Sequence, residues 1–171
     1  MSSKTSIGTY PNYFENYIRL VANEDLKTVL EKQLRESEAF FNSIPEEKYL
    51  YRYTEGKWSI KEVLQHITDA ERVFSFRALA FSRKDPNIFP SFDENTYTKN
   101  SNADNRKWEQ LIEEFTAVRK STIDLFNSFS EEQLQSVGKA SDYEISVKAL
   151  GYITAGHFQH HVTILKERYL Q

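Results

Sequence analysis

The chain holds four histidines, and three of them fall within the five residues His157-Phe-Gln-His160-His161 near its C-terminal end. A neutral imidazole offers one nitrogen lone pair to a metal ion, so histidines on a helix act together only when they share a face. Residues four apart in an α-helix differ by about 40° in direction and one turn in height, so His157 and His161 can approach one ion together. His160, three after His157, is the competing partner. On a wheel of about 100° per residue, Leu150, Thr154, Ile164 and His161 cluster around His157, whereas His160 falls toward the edge of that stripe, which favours His161. The remote histidine, His66, lies at the flank of another apolar stripe beside Glu62, Asp69 and Ala70, where a cleft wall is expected. It completes a candidate trio.

Three imidazoles suit Zn, Ni, Fe or Cu and leave room for water or substrate, as a catalytic site requires; a structural site is more often closed by a fourth ligand. Metal-bound histidines usually donate their other N–H to a carboxylate or carbonyl. Asp69, one turn beyond His66, is a candidate for that role, and Glu62 is a second. A His-x-x-x-His pair also arises on helices that hold no ion, so the spacing alone leaves that alternative open.

Four amphipathic stretches must position these residues. The first runs from Glu24 to Asn42, with Leu26, Val29, Leu30, Leu34, Phe40 and Phe41 at helical spacing and Pro45 after its end. The second is predicted from Ser59, where Ser59-Ile-Lys-Glu62 has the form of a capping box, to about Arg83, with Val63, Ile67, Ala70, Phe74 and Phe81 on its stripe. The third spans Asn105 to Phe129, and a short helical turn around Glu131 to Ser136 follows. The fourth is capped by Ser146 and continues through His157 and His161 toward the C-terminus. Gly138 to Tyr143 is expected to form a minor extended excursion at most. Such a pattern implies an all-α four-helix bundle over residues 1–171, a single domain with its site between facing helices. Between the second and third helices, Asp85 to Asp104 carries Pro86, Pro90 and many Asn, Ser and Asp residues, so it reads as a long connection with little regular structure. Its segment Phe89 to Tyr97, with Asp93, Glu94 and Tyr97, is a candidate source of aromatic walls and carboxylates at the open face of a metal, an ordinary solvated connection being the alternative.

Composition narrows the function classes. Hydrophobic residues make up 39% and charged residues 27% of the 171, with few glycines and prolines, which is the balance of a globular chain. A net charge of -3 with both signs scattered disfavours nucleic-acid binding. No window approaches a membrane span, and the N-terminal MSSKTSIGTYPNYF lacks the apolar core of a signal peptide, so a cytoplasmic protein is expected. The absence of cysteine excludes thiolate ligands and a protein thiol nucleophile, so any thiol chemistry must use a thiol brought in from outside.

Two segments, Glu55-Gly-Lys-Trp58-Ser-Ile-Lys-Glu-Val-Leu-Gln-His66 with Asp69-Ala-Glu71-Arg72 and Arg77 after it, and Ala155-Gly-His157-Phe-Gln-His160-His161, together resemble the DinB superfamily. The likeness is to its branch of YfiT-like metal-dependent hydrolases and thiol transferases. It covers nearly the whole chain and implies a four-helix bundle that holds one divalent ion, Zn or Ni, with His66, His157 and His161. It also implies an enzyme acting on a small molecule, a thiol S-transferase first and a hydrolase as the nearest alternative, with an external low-molecular-weight thiol such as bacillithiol or mycothiol compatible as cosubstrate. A homodimer is expected. The alternative is a non-catalytic metal-binding stress-response or interaction protein, which fold and ligands alone do not exclude. Arg72 and Arg77 are candidate contacts for anionic groups, although helix arginines more often form ion pairs, and Trp58 reads as a core anchor. Phe158 is a departure: relatives of this type often carry Glu there, so any role of that carboxylate is missing.

Overall fold

A computed structural model describes residues 7–171; the first six, which begin the N-terminal stretch read above, lie outside it. A 3-10 turn (Asn12–Phe14) leads into the short helix α1 (Glu15–Ile18), and the first long helix, α2, spans Leu26–Asn42. The Asp25 carboxylate caps α2 by accepting the Thr28 N–H at 3.2 Å. Its buried residues Leu26, Val29, Leu30, Gln33, Ser37 and Phe41 follow the helical repeat. Helix α3 (Ile60–Ser82) starts at the capping box expected at Ser59. The Ser59 hydroxyl accepts from the Glu62 N–H at 3.1 Å, and the Glu62 carboxylate accepts from the Ser59 N–H at 2.8 Å.

The connection after α3 is more regular than its composition suggests. It contains strand β1 (Ile88–Phe89), helix α4 (Glu94–Asn100), whose first turn is capped by Asp93, and a 3-10 turn at Ala103–Asn105. Its far end is tied to the start of α3: Asp104 accepts from the Ser59 hydroxyl at 2.5 Å and from Arg52 at 2.9 Å. Helices α5 (Trp108–Asn127) and α6 (Glu131–Gln135) follow. Strands β2 (Val137–Ala140) and β3 (Tyr143–Ser146) then form an antiparallel hairpin, and β1 pairs parallel with β2, so the expected minor excursion is part of a three-stranded sheet.

Helix α7 (Val147–Ile164) is capped by Ser146, and every residue from Val147 to Phe158 is buried. A helix apolar on all sides belongs at the centre of its neighbours, and α7 packs against α1, α2 and α3. The side chains divide into two apolar clusters. One includes Phe14, Leu30, Ala70, Phe74, Phe81, Leu150 and Ala155, and the other includes Phe41, Leu64, Ile67, Trp108, Phe115, Phe158 and Leu165. The boundary therefore falls between Ile67 and Ala70 on α3 and between Ala155 and Phe158 on α7.

Buried polar side chains occupy this boundary. Arg119 of α5, with no solvent exposure, donates to both oxygens of Glu71 on α3 and, at 2.7 Å, to Gln33 on α2. Gln33 in turn donates to the Ala155 carbonyl of α7 at 2.9 Å. One network thus joins all four long helices. The guanidinium also lies over the rings of Phe158 (5.0 Å) and Phe115 (5.3 Å).

Candidate metal centre

The same boundary holds His66, His157 and His161. His66 comes from α3 and the other two from successive turns of α7, and their ligand nitrogens lie within 4.8 Å of one another. The Nε2 atom of His157 is 2.9 Å from that of His66 and 3.2 Å from that of His161. A neutral imidazole nitrogen carries either one hydrogen or one lone pair, so His157 Nε2 cannot satisfy both neighbours with well-aligned hydrogen bonds. A cation facing three lone pairs satisfies all of them. The observed separations are close to the roughly 3.3 Å between two nitrogens each about 2.0–2.1 Å from a tetrahedral ion, so the donor set fits a divalent metal.

Burial fixes the protonation state that this requires. Desolvation is the main cause that lowers the pKa of His66 to about 4, and it also holds His157 and His161 well below the ordinary histidine range, with the neighbouring imidazoles adding to the effect. All three are neutral near pH 7 and present lone pairs rather than charges. His160, pointing one position away, packs instead on Tyr17 with ring centroids 5.1 Å apart and stays outside the trio.

The helix α1, which the sequence pattern does not announce, completes the surroundings. Tyr17 packs edge-on against His157 at 5.5 Å, and this close approach depends on Gly156: a Cβ there would lie 2.1 Å from the Tyr17 carbonyl oxygen. The glycine inside an otherwise helical run, next to His157, was the available signal that another backbone passes at this point. Trp58 stands against His66 with ring centroids 4.6 Å apart, so it buttresses the site as well as the core.

Two cavities flank the histidines. One, of about 220 Å³, is bounded by His66, His157, Tyr13, Phe14, Tyr17, Ala70, Phe74, Arg77, Ser91, Phe92 and Glu94. The other, of about 250 Å³, is bounded by His161, Trp58, Tyr53, Val63, Tyr169, Ile164, Asn95 and Glu94, among others. Glu94, in the first turn of α4, belongs to both walls.

The remaining candidates separate clearly. Arg77 reaches the first cavity. Tyr97 packs on Phe92 at 5.2 Å near its rim, and Asp93 caps α4 rather than facing the histidines. Asp69 accepts from Gln65 at 2.9 Å and pairs with Arg72 at 3.6 Å, while Glu62 serves the capping box and Arg52. The hydrogen bonds of these two carboxylates therefore run to the polar side of α3 and none runs to His66. Arg72 belongs to the same exposed network through Glu114.

The fold is a helical bundle in which three histidines converge, and comparison with known proteins agrees on the fold and its family. The family model of the DinB superfamily matches residues 30–165, and the chain belongs to that superfamily. It is 28% identical over 127 residues, 73% of this chain and 72% of the relative, to an Oceanobacillus iheyensis protein named "Putative metal-dependent hydrolase OB0413". Its fold is similar to that of YfiT from Bacillus subtilis, described as "a probable metal-dependent hydrolase with an unusual four-helix bundle topology". The TM-score is 0.72 at 13% identity, covering 96% of this chain and 90% of that one. Among the described residues no helix is long and apolar enough to cross a membrane.

Proposed function

We propose that the chain is a metal-dependent hydrolase that acts on a small molecule, with His66, His157 and His161 holding one divalent ion, Zn or Ni. The observation that carries this reading is the convergence of three buried, neutral imidazoles whose nitrogens cannot satisfy one another. A relative's description as a metal-dependent hydrolase supports it. An ion bound there supplies Lewis-acid chemistry, lowering the pKa of a water or thiol so that the anion is available near neutral pH.

The chain's own residues do the rest. Glu94 is the carboxylate on the walls of both cavities, and in this reading it takes a proton from the attacking nucleophile and returns it to the leaving group. Burial raises the pKa of Tyr17, with Glu94 adding to the effect, so it stays a neutral phenol beside His157. Phe14, Phe74 and Phe92 exclude water from one side of the histidines, and Trp58 and Tyr169 do so from the other.

A second reading, thiol S-transfer, is favoured by the two cavities that meet the histidines from opposite sides and share Glu94. This arrangement admits a thiol and an electrophile at once, and a chain without cysteine must obtain its thiol from outside. A homodimer belongs to the same proposal, and sedimentation of the metal-loaded protein tests it.

Elemental analysis of tag-free protein tests the centre. About one ion per chain is expected in the parent and close to none in His66→Ala or His161→Ala; failure of added Zn and Ni to bind would overturn the reading. Loaded protein is then assayed with ester and amide panels and, separately, with a low-molecular-weight thiol plus an alkylating electrophile. Turnover without thiol supports hydrolysis, and thiol-dependent turnover supports transfer. Metal binding without turnover in any assay points to a non-catalytic metal-binding protein.

A further inference from the structure

The cavity beside His66 and His157 contains a buried cation that forms no ion pair, although the Glu94 carboxylate lines the same cavity. Arg77 is only 7% exposed, and its Nη2 donates to the Pro90 carbonyl at 2.7 Å. Among the described residues its other nitrogens have no protein acceptor and no carboxylate lies within ion-pair distance. The other arginines of α3, α5 and the loops around the site behave differently: Arg52, Arg72, Arg106 and Arg119 all pair with acids. Burying an unpaired guanidinium is costly, and a binding site is a place where that cost is offset by a ligand.

The placement along α3 gives the ligand its shape. His66 and Arg77 are eleven residues apart, about 16 Å along the axis and about 20° apart around it, so they share one face. Long side chains on a helix lean toward its N-terminus, here from Arg77 toward His66. Ala70 leaves room between them, while Phe14, Phe74 and Phe92 supply apolar walls.

We propose that Arg77 receives the carboxylate of a small acid with an apolar or aromatic body, whose other end lies against the histidine trio. A single guanidinium, in a cavity also lined by Glu94, suits one negative charge better than the two of a phosphate ester. The identity of the far end as the reacting end rests on the hydrolase or transferase reading; carboxylate recognition does not.

The test is binding of 3-phenylpropionate and of its uncharged amide, 3-phenylpropionamide, followed by ligand-observed NMR and Trp fluorescence in metal-loaded and chelator-treated protein. The acid is expected to bind at least ten-fold tighter than the amide in both forms. Arg77→Gln, which can still donate to Pro90, should abolish the preference, and Arg77→Lys should retain part of it, with thermal melts reporting that each variant folds. If the acid binds the parent no better than the amide, including the case where neither saturates, the assignment is wrong whatever the variants do. A preference that survives Arg77→Gln, or that vanishes on chelation, overturns it in favour of direct carboxylate contact with the ion and leaves the metal reading standing. A preference kept by His161→Ala protein that binds no metal supports the Arg77 site independently of the centre.

Discussion

Two buried polar groups occupy the boundary between the apolar clusters, and they differ in completeness. Arg119, Glu71 and Gln33 find partners in one another and in the Ala155 carbonyl, so the charges that burial desolvates are returned as hydrogen bonds. His66 and His157 are comparably buried and His161 half-buried, yet the three face one another with identical atoms, which leaves the trio short of partners. Polarity in a core is therefore not a mark of function by itself; the mark is polarity that the protein alone cannot satisfy. The first group joins the four long helices, and the second, on the proposed function, receives a metal ion.

The largest expected effect on stability breaks the satisfied group. Glu71→Leu leaves the Arg119 charge buried and unpaired and is expected to cost about 3–5 kcal/mol in urea unfolding. The double change Glu71→Leu with Arg119→Met should recover much of that loss. Recovery would show that the network contributes mainly through its mutual pairing.

Acid should act on the other group. The folded His66 pKa of about 4 lies below the unfolded value of about 6.5, so below pH 6.5 the unfolded chain binds the extra proton and stability falls with pH. For chelator-treated protein, the His66 contribution is intact above pH 6.5 and is lost between about pH 6.5 and 4, amounting to about 3 kcal/mol. A stability curve flat across that window would break the argument that the imidazoles are held neutral by burial.

Gly156→Ala comes next, at about 1–3 kcal/mol, because the new methyl must displace the Tyr17 backbone. Bound metal should be retained, while the Tyr17 fluorescence environment and ligand affinity in the first cavity change. The smallest stability effect is expected from His161→Ala, at the half-buried member of the trio, in chelator-treated protein, about 1 kcal/mol. The same substitution should remove bound metal almost entirely. A loss of several kcal/mol instead would place the histidines with the structural network and sink the contrast.

Much of this contrast was legible in the chain. The capping box at Ser59, the cap at Ser146 and the apolar stripes of α2, α3 and α7 are local signals, and local signals fix where helices begin and which face turns inward. The same periodicity placed His157 and His161 on one face and His66 near a cleft. The partners of Asp69 and Glu62 were not legible, since a wheel gives direction but not competitors: Gln65, Arg72, Arg52 and the Ser59 N–H claim those carboxylates first. The docking of α1 and the pairing of β1 with β2 join residues far apart in sequence, and neither short element has a period of its own. Arg77 was one of two candidate arginines, and only burial and the lack of an acid distinguish it from Arg72.

The connection between α3 and α5 is fastened at both ends, by β1 to the hairpin that leads into α7 and by Asp104 to the start of α3. The stretch between those fasteners carries Ser91, Phe92, Glu94 and Asn95 to the cavities but none of the histidines. On the proposed function, part of the substrate-facing wall is thus carried by a stretch apart from the histidines, while Arg77 shares α3 with His66. Exchange of residues 90–102 with the matching stretch of a relative is a route by which one bundle acquires new substrates without rebuilding its centre, and a chimera that lost its metal would show the two parts to be inseparable.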